Sequence, residues 1–168
     1  MPRARIFRYV GPEAMLRTAA TGPIGTEIRS RAAVRRWCEE HGDERDGLGL
    51  WATYTVGEDG DLRVAPRRSE HVACSGGEPV LAAGEICFAA DARVTEISNL
   101  STGFCPDAEC WAAVRDALDA ASVLHPGAFT FEAVFRRCPV CGERNVVKEG
   151  WFVCAVCDAP LPETWNFA

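Results

Sequence analysis

The sequence predicts an α+β fold: an antiparallel sheet of four to five strands, two helices, and a small C-terminal module tied together by cysteines. Three observations lead there. Short strand-like runs occur in pairs with turn residues between them, which is the signature of hairpins. Two stretches with apolar residues at helical spacing lie on either side of those pairs and do not alternate with single strands, so the plan is not that of a parallel sheet. The last 31 residues contain C-P-V-C and C-A-V-C, separated by 12 residues.

Each element can be justified in chain order. Residues 6–10 predict a short strand, and GPEAMLRTAATGPIG after it predicts loop with one helical turn, because two Gly-Pro pairs interrupt it. Ser30 predicts the cap of a first helix whose inner face is Val34, Trp37 and Cys38 and whose stop is His41-Gly42. Strands over 51–56 and 62–65 flank the turn signal GEDGD, and a second pair over 84–89 and 93–98 flanks AADA. A second helix starts after Pro106, with Trp111, Val114, Leu118 and Ala121 on one face, and covers the sheet. HPG at 125–127 stops it. Phe129, Phe131, Ala133 and Phe135 then alternate onto one side of a last strand that feeds directly into Cys138. The expected organisation is an α+β domain over 1–137 and a ribbon over 138–168, with Trp151, Phe152 and the tail LPETWNF packing the ribbon against the body.

Composition narrows the function classes. With 48% hydrophobic and 25% charged residues, 168 residues can bury a core without disulfides. The net charge of −6 is unevenly spread. Residues 1–70 carry 12 basic and 11 acidic side chains, 71–137 carry 4 and 9, and 138–168 carry 2 and 4. No segment has the basic excess of a nucleic-acid surface, so a nucleic-acid partner is not expected. No apolar run reaches the roughly 18–20 residues that span a bilayer, and the opening MPRARIFRYV lacks the apolar core of a secretory signal. Nine cysteines, an odd number, suit a reducing compartment in which thiols stay free or bind metal. The expected location is the cytoplasm.

The chemistry of the C-terminal cysteines is specific. Each C-x-x-C can place two sulfurs about 4 Å apart on a knuckle, and a hairpin of this length brings two knuckles around one tetrahedral ion. Gly142 follows the first knuckle where a left-handed residue is needed. Lys148-Glu149-Gly150 supplies the hairpin turn between Val146-Val147 and Phe152-Val153. Cys138, Cys141, Cys154 and Cys157 are therefore the expected ligands of one zinc ion, similar to a four-cysteine zinc ribbon. Such a site has no open coordination position, so it folds the tail instead of activating water. Iron is the weaker alternative, because rubredoxin-like knuckles are usually farther apart in sequence. The ribbon's role is then structural, or that of a surface that docks a protein partner.

Cys74, Cys87, Cys105 and Cys110 have no comparable spacing and read as small buried core side chains, although His71-x-x-Cys74 and the Cys105/Cys110 pair leave a second metal site conceivable. No His/Cys-x-Glu triplet precedes a spare C-x-x-C, as a zinc deaminase needs, and a phosphate-binding glycine loop, a G-x-S-x-G elbow and H-E-x-x-H are missing.

Residues 53–106 carry a spaced pattern: His71, then Gly77, Pro79, Val80, Ala82, Ala83, Gly84 and Glu85, then Asn99, Ser101, Gly103 and Pro106. It resembles an H-S-S-F / A-A-G-E / S-G-H-Y-x-P module of bacterial uncharacterised proteins, polymorphic-toxin C-termini and plant IQ-motif calmodulin-binding proteins. The resemblance implies a pocket in which His71 serves as acid/base and Glu85 as its orienter or a substrate anchor, with Asn99 and Ser101 contacting a small-molecule ligand. Val72-Ala73-Cys74 replaces Ser-Ser-Phe, and Phe104-Cys105 replaces His-Tyr. A two-histidine nuclease of the toxin type would therefore lack half of its acid/base pair. The expected function is a zinc-binding accessory protein that docks a protein partner. The alternative is an enzyme or small-ligand binder with its cleft at His71 and Glu85.

Overall fold

The structure, a computed structural model, describes residues 3–167. Strands β1 (Thr26–Ile28), β2 (Leu50–Gly57), β3 (Leu62–Pro66), β4 (Val80–Phe88) and β5 (Val94–Ile97) form one antiparallel sheet in the order β1-β3-β2-β4-β5. Strands β6 (Val134–Arg137) and β7 (Arg144–Val147) form a separate two-stranded hairpin. Four helices accompany them: α1 (Glu13–Ala19), α2 (Arg31–Glu40), α3 (His71–Cys74) and α4 (Trp111–Ala120). No described helix is long and apolar enough to cross a membrane.

The two longer helices form where the sequence places them, for the expected reasons. Ser30 caps α2 by accepting from the Ala33 amide at 3.1 Å, and Val34, Trp37 and Cys38 are its buried face. Asp107 accepts from the Glu109 amide at the single 3-10 turn that leads into α4, which buries Val114, Ala117 and Leu118. β2 and β3 form the expected hairpin, with Tyr54 opposite Val64 and Val56 opposite Leu62.

β2 is buried along nearly its whole length, Thr53 and Thr55 included. The reason is a layer on each face. Leu50, Ala52, Tyr54 and Val56 share one face with Ile86 and Phe88, under α4 and the Trp37 ring, which meets Phe88 edge-on at 6.4 Å. Thr53 and Thr55 point to the other face, where α3 lies, with α1 behind it. The β-branched hydroxyls tolerate this burial because each is hydrogen-bonded: Thr53 Oγ1 to the carbonyls of Arg67 and Ser69, and Thr55 Oγ1 to Cys74 Sγ.

Five expectations are corrected. The turn at 148–150 does not close a hairpin, because Val146 and Val147 pair with Phe135 and Val134 of β6 while 152–153 meets 160–161. The 6–10 segment makes a single bridge, Phe7 to Val80, and is then drawn to Gly103 by the Val10 amide, so it adds no full strand. The 11–28 stretch holds a seven-residue helix and the three-residue β1; both are too short to show a period among its glycines and prolines. The predicted strand from 129 is regular only from Val134. Thr130 bonds Ile97 through both its amide and its hydroxyl, which turns the chain and leaves Phe131 54% exposed while Phe129, Ala133 and Phe135 stay buried. Trp151, expected against the body, is 71% exposed.

The cysteine hairpin is nonetheless firmly seated. Asn99 is fully buried and clamps the approach to β6, donating to the carbonyls of Pro106 (3.0 Å) and Ala133 (2.9 Å) and accepting from the Ala133 amide (2.6 Å). The tail returns to the body as expected. Trp165 donates to Cys105 O at 2.8 Å and packs edge-on to Phe7, while Asn166 bonds both the amide and the carbonyl of Arg137.

Candidate metal centre and the His71 region

The sulfurs of Cys138, Cys141, Cys154 and Cys157 all lie within 4.8 Å of one another. Cys138 and Cys157 are 3.5 Å apart and Cys141 and Cys154 3.6 Å. Four thiolates about 2.3 Å from a tetrahedral ion sit roughly 3.8 Å apart, so this donor set fits a closed metal site.

The two knuckles repeat one backbone design. The Cys138 amide donates to Glu143 O and the Cys154 amide to Ala159 O, each at 2.8 Å. Gly142 N–H donates to Cys138 O at 2.9 Å, and Asp158 N–H to Cys154 O at 3.0 Å. Both closing residues are left-handed, Gly142 at φ +79° and Asp158 at +60°. Glycine does this freely and aspartate is among the few side chains that tolerate it.

Amides aimed at sulfur favour the charged form. The Cys157 and Val156 amides hold the Cys154 thiol down to about 6, and the Cys141 and Val140 amides lower Cys138. The Glu143 amide works in the same direction on Cys141, but burial and the neighbouring sulfurs outweigh it and push that thiol up to about 12. Four sulfurs this close cannot all carry charge without a cation between them.

Sequence reasoning missed Asn145. It is buried in β7, its Nδ2 lies 3.5 Å from Cys154 Sγ and 3.1 Å from Glu143 O, and its Oδ1 accepts from the Ala155 amide at 2.9 Å. One side chain thus ties both knuckles and steadies a ligand sulfur, as outer-sphere partners do. The available signal was a lone amide in the otherwise apolar run N-V-V.

The remaining cysteines, Cys38, Cys74, Cys87, Cys105 and Cys110, are free and buried. Burial raises Cys74 to about 11 and Cys105 to about 12, so both are neutral thiols packed as small apolar groups.

The other singled-out residues fall into two groups. His71 and Glu85 belong to the same side of the sheet: His71 begins α3, and Glu85 lies opposite Thr53, whose hydroxyl faces that layer. They are not hydrogen-bonded to each other. His71 Nε2 lies 2.9 Å from Gly84 O, and since a carbonyl only accepts, that nitrogen carries the proton. Glu85 takes Arg67 through both oxygens, at 3.1 and 3.5 Å, and the Arg67 guanidinium lies 4.7 Å over the Trp51 ring. Asn99 and Ser101 sit elsewhere and are buried. Asn99 is the clamp described above, and Ser101 Oγ accepts from the Phe104 amide within a turn. The structure does not gather the four into one cleft.

Burial lowers the His71 pKa below the ordinary imidazole value of 6.5, against the opposing pull of the Gly84 carbonyl, Glu85 and Glu70. The folded state then binds fewer protons than the unfolded one, so this contribution is whole above pH 6.5 and is lost as pH falls through the lower folded value. Urea midpoints should therefore drop between pH 7.5 and about pH 5. His71→Gln, which can still donate to Gly84 O, should flatten that drop. An undiminished drop in the variant would refute the assignment.

Compared with family models, curated proteins and solved structures, the chain matches none.

Proposed function

We propose that this chain is a cytoplasmic zinc-binding accessory protein, with zinc as the structural ion of the ribbon and the ribbon as the surface that docks a protein partner. The metal choice rests on the donor set. Four thiolates in a closed tetrahedral arrangement suit zinc, the short separation of the knuckles disfavours an iron site, and the five buried free thiols accord with a reducing compartment.

The observation that carries the docking role is where the ribbon exposes apolar surface. Val140 and Val156, 73% and 66% exposed, occupy the same position in the two knuckles, each just before a ligand cysteine. The convergence of the sulfurs brings these two side chains to the knuckle end of the ribbon, and exposed Trp151 follows the separate turn at 148–150, after β7. A pair of exposed aliphatic side chains on a rigid metal-closed end, with an exposed aromatic elsewhere on the same small module, has the composition of an interface. The enzymatic alternative is less favoured because His71 Nε2 is occupied by Gly84 O and Glu85 by Arg67.

The test compares wild type with a Val140→Ser, Val156→Ser, Trp151→Ser protein in affinity purification from a native extract. A specific partner should co-purify with wild type and fall at least about tenfold in the variant, a loss of ~1.4 kcal/mol or more, while both keep about one zinc per chain. Retention of the same partner by the variant would sink the docking surface.

A further inference from the structure

The side of the sheet that carries α3 also has an open cavity of about 530 Å³, bounded by α1, the turn at 22–25, the end of β3 and α3. Small-molecule sites typically enclose about 300–1,000 Å³ and are mostly apolar with a few placed polar groups. This one fits. Met15, Ile24, Val72 and Ala73 provide apolar wall, and buried Cys74 borders it with its sulfur turned toward Thr55 Oγ1 and Arg63 O. Ile24, at the rim, is 60% exposed. Met15 is unbranched and polarizable, so it can adapt to a ligand's shape.

One charge stands at this cavity. Glu70 is the only charged residue among those lining it. Its carboxylate makes no ion pair and no hydrogen bond among the described residues, and it does not cap α3 although it occupies the cap position. The nearest arginines in sequence are committed elsewhere, Arg67 to Glu85 and Arg68 to Glu44. The other polar contributors, Thr18 and Ser69, are uncharged hydroxyls. An apolar cavity with a single unpaired carboxylate complements a molecule of matching design. A lone carboxylate is too few ligands for a metal ion. A carboxylate or phosphate ligand would meet repulsion.

We propose that this cavity binds a small organic cation, an ammonium group at Glu70 carrying a short alkyl or aryl body that lies along Met15, Ile24 and Ala73. Binding is non-covalent, since the Cys74 thiol is held neutral by burial and is no nucleophile. The site is independent of the ribbon. Its success or failure leaves the docking reading untouched.

The experiment uses the full metal-loaded chain and three probes with one apolar body: n-hexylammonium, 1-hexanol and hexanoate. The chain contains only two methionines, so the Met15 methyl resonance reports directly on the cavity. Hexylammonium should shift it saturably and bind at least about tenfold tighter than hexanoate. Glu70→Gln should reduce that preference to about twofold or less, whereas Glu39→Gln, in α2 and away from the cavity, should leave it unchanged and so exclude general attraction to an acidic protein. Ala14→Phe, at an exposed position of α1 that lines the cavity, should weaken all three probes. No saturable Met15 shift with any probe, or a preference that survives Glu70→Gln, would overturn the proposal.

Discussion

Cys154→Ser is expected to take the protein from about one zinc per chain to almost none and to unfold the ribbon. Cys154 is fully buried, and its sulfur receives the Val156 amide at 3.4 Å and Asn145 Nδ2 at 3.5 Å. A serine hydroxyl is a poor zinc ligand at neutral pH, and its shorter bond leaves those donors without an acceptor. Structural zinc contributes about 10–16 kcal/mol of apparent binding free energy in small metal-dependent folds, so losing a ligand belongs with the most damaging substitutions, about 4 kcal/mol or more. Because Arg144 bonds Thr102 O and Asn166 bonds Arg137, the damage should reach the body and lower Tm by about 10 °C or more. Elemental analysis and calorimetry check both parts. Cys110→Ser, outside the quartet, should retain its zinc. Stoichiometric iron, or no metal in protein purified without chelator, would contradict the zinc assignment.

The second large effect is expected at Gly84. A Cβ there would stand 1.9 Å from Ser98 O, 2.7 Å from Ser98 C and 3.0 Å from Asn99 Cα, all backbone atoms. Ser98 cannot step aside. Its amide donates to Glu85 O, its carbonyl accepts from the buried Tyr54 hydroxyl at 2.8 Å, and Asn99 next to it is the clamp on Pro106 and Ala133. Overpacking usually costs about 1–3 kcal/mol when side chains can yield, and here only backbone is in the way. Gly84→Ala should therefore destabilise by about 4 kcal/mol or more. Gly47→Ala, where nothing lies within 4 Å of the added carbon, should stay within about 0.5 kcal/mol. Urea denaturation of the two variants decides it, and a Gly84→Ala protein as stable as wild type would refute the close-packing argument.

This changes how the A-A-G-E run is understood. In the sequence its small residues suggest room for a ligand. In the structure the space over Gly84 is filled by the chain's own return at Ser98, and Glu85 faces Arg67. The glycine serves close approach of backbone to backbone, one of the situations that requires it.

What the amino-acid order determined by itself is local chemistry: the cap at Ser30, the two hairpin turns, the helical stripe after Pro106, and four cysteines whose spacing brings their sulfurs together. These depend on residues within about twenty positions of one another, where periodicity, spacing and turn chemistry are legible. Tertiary structure alone decided the rest. Asn145 beneath Cys154, Asn99 between Pro106 and Ala133, and α3 laid over Thr53 and Thr55 depend on partners whose proximity no period or spacing encodes. Buried polar groups must find partners wherever the folded chain supplies them, and the chain supplied backbone to Asn99 and Ser101 in the places where the sequence suggested a ligand.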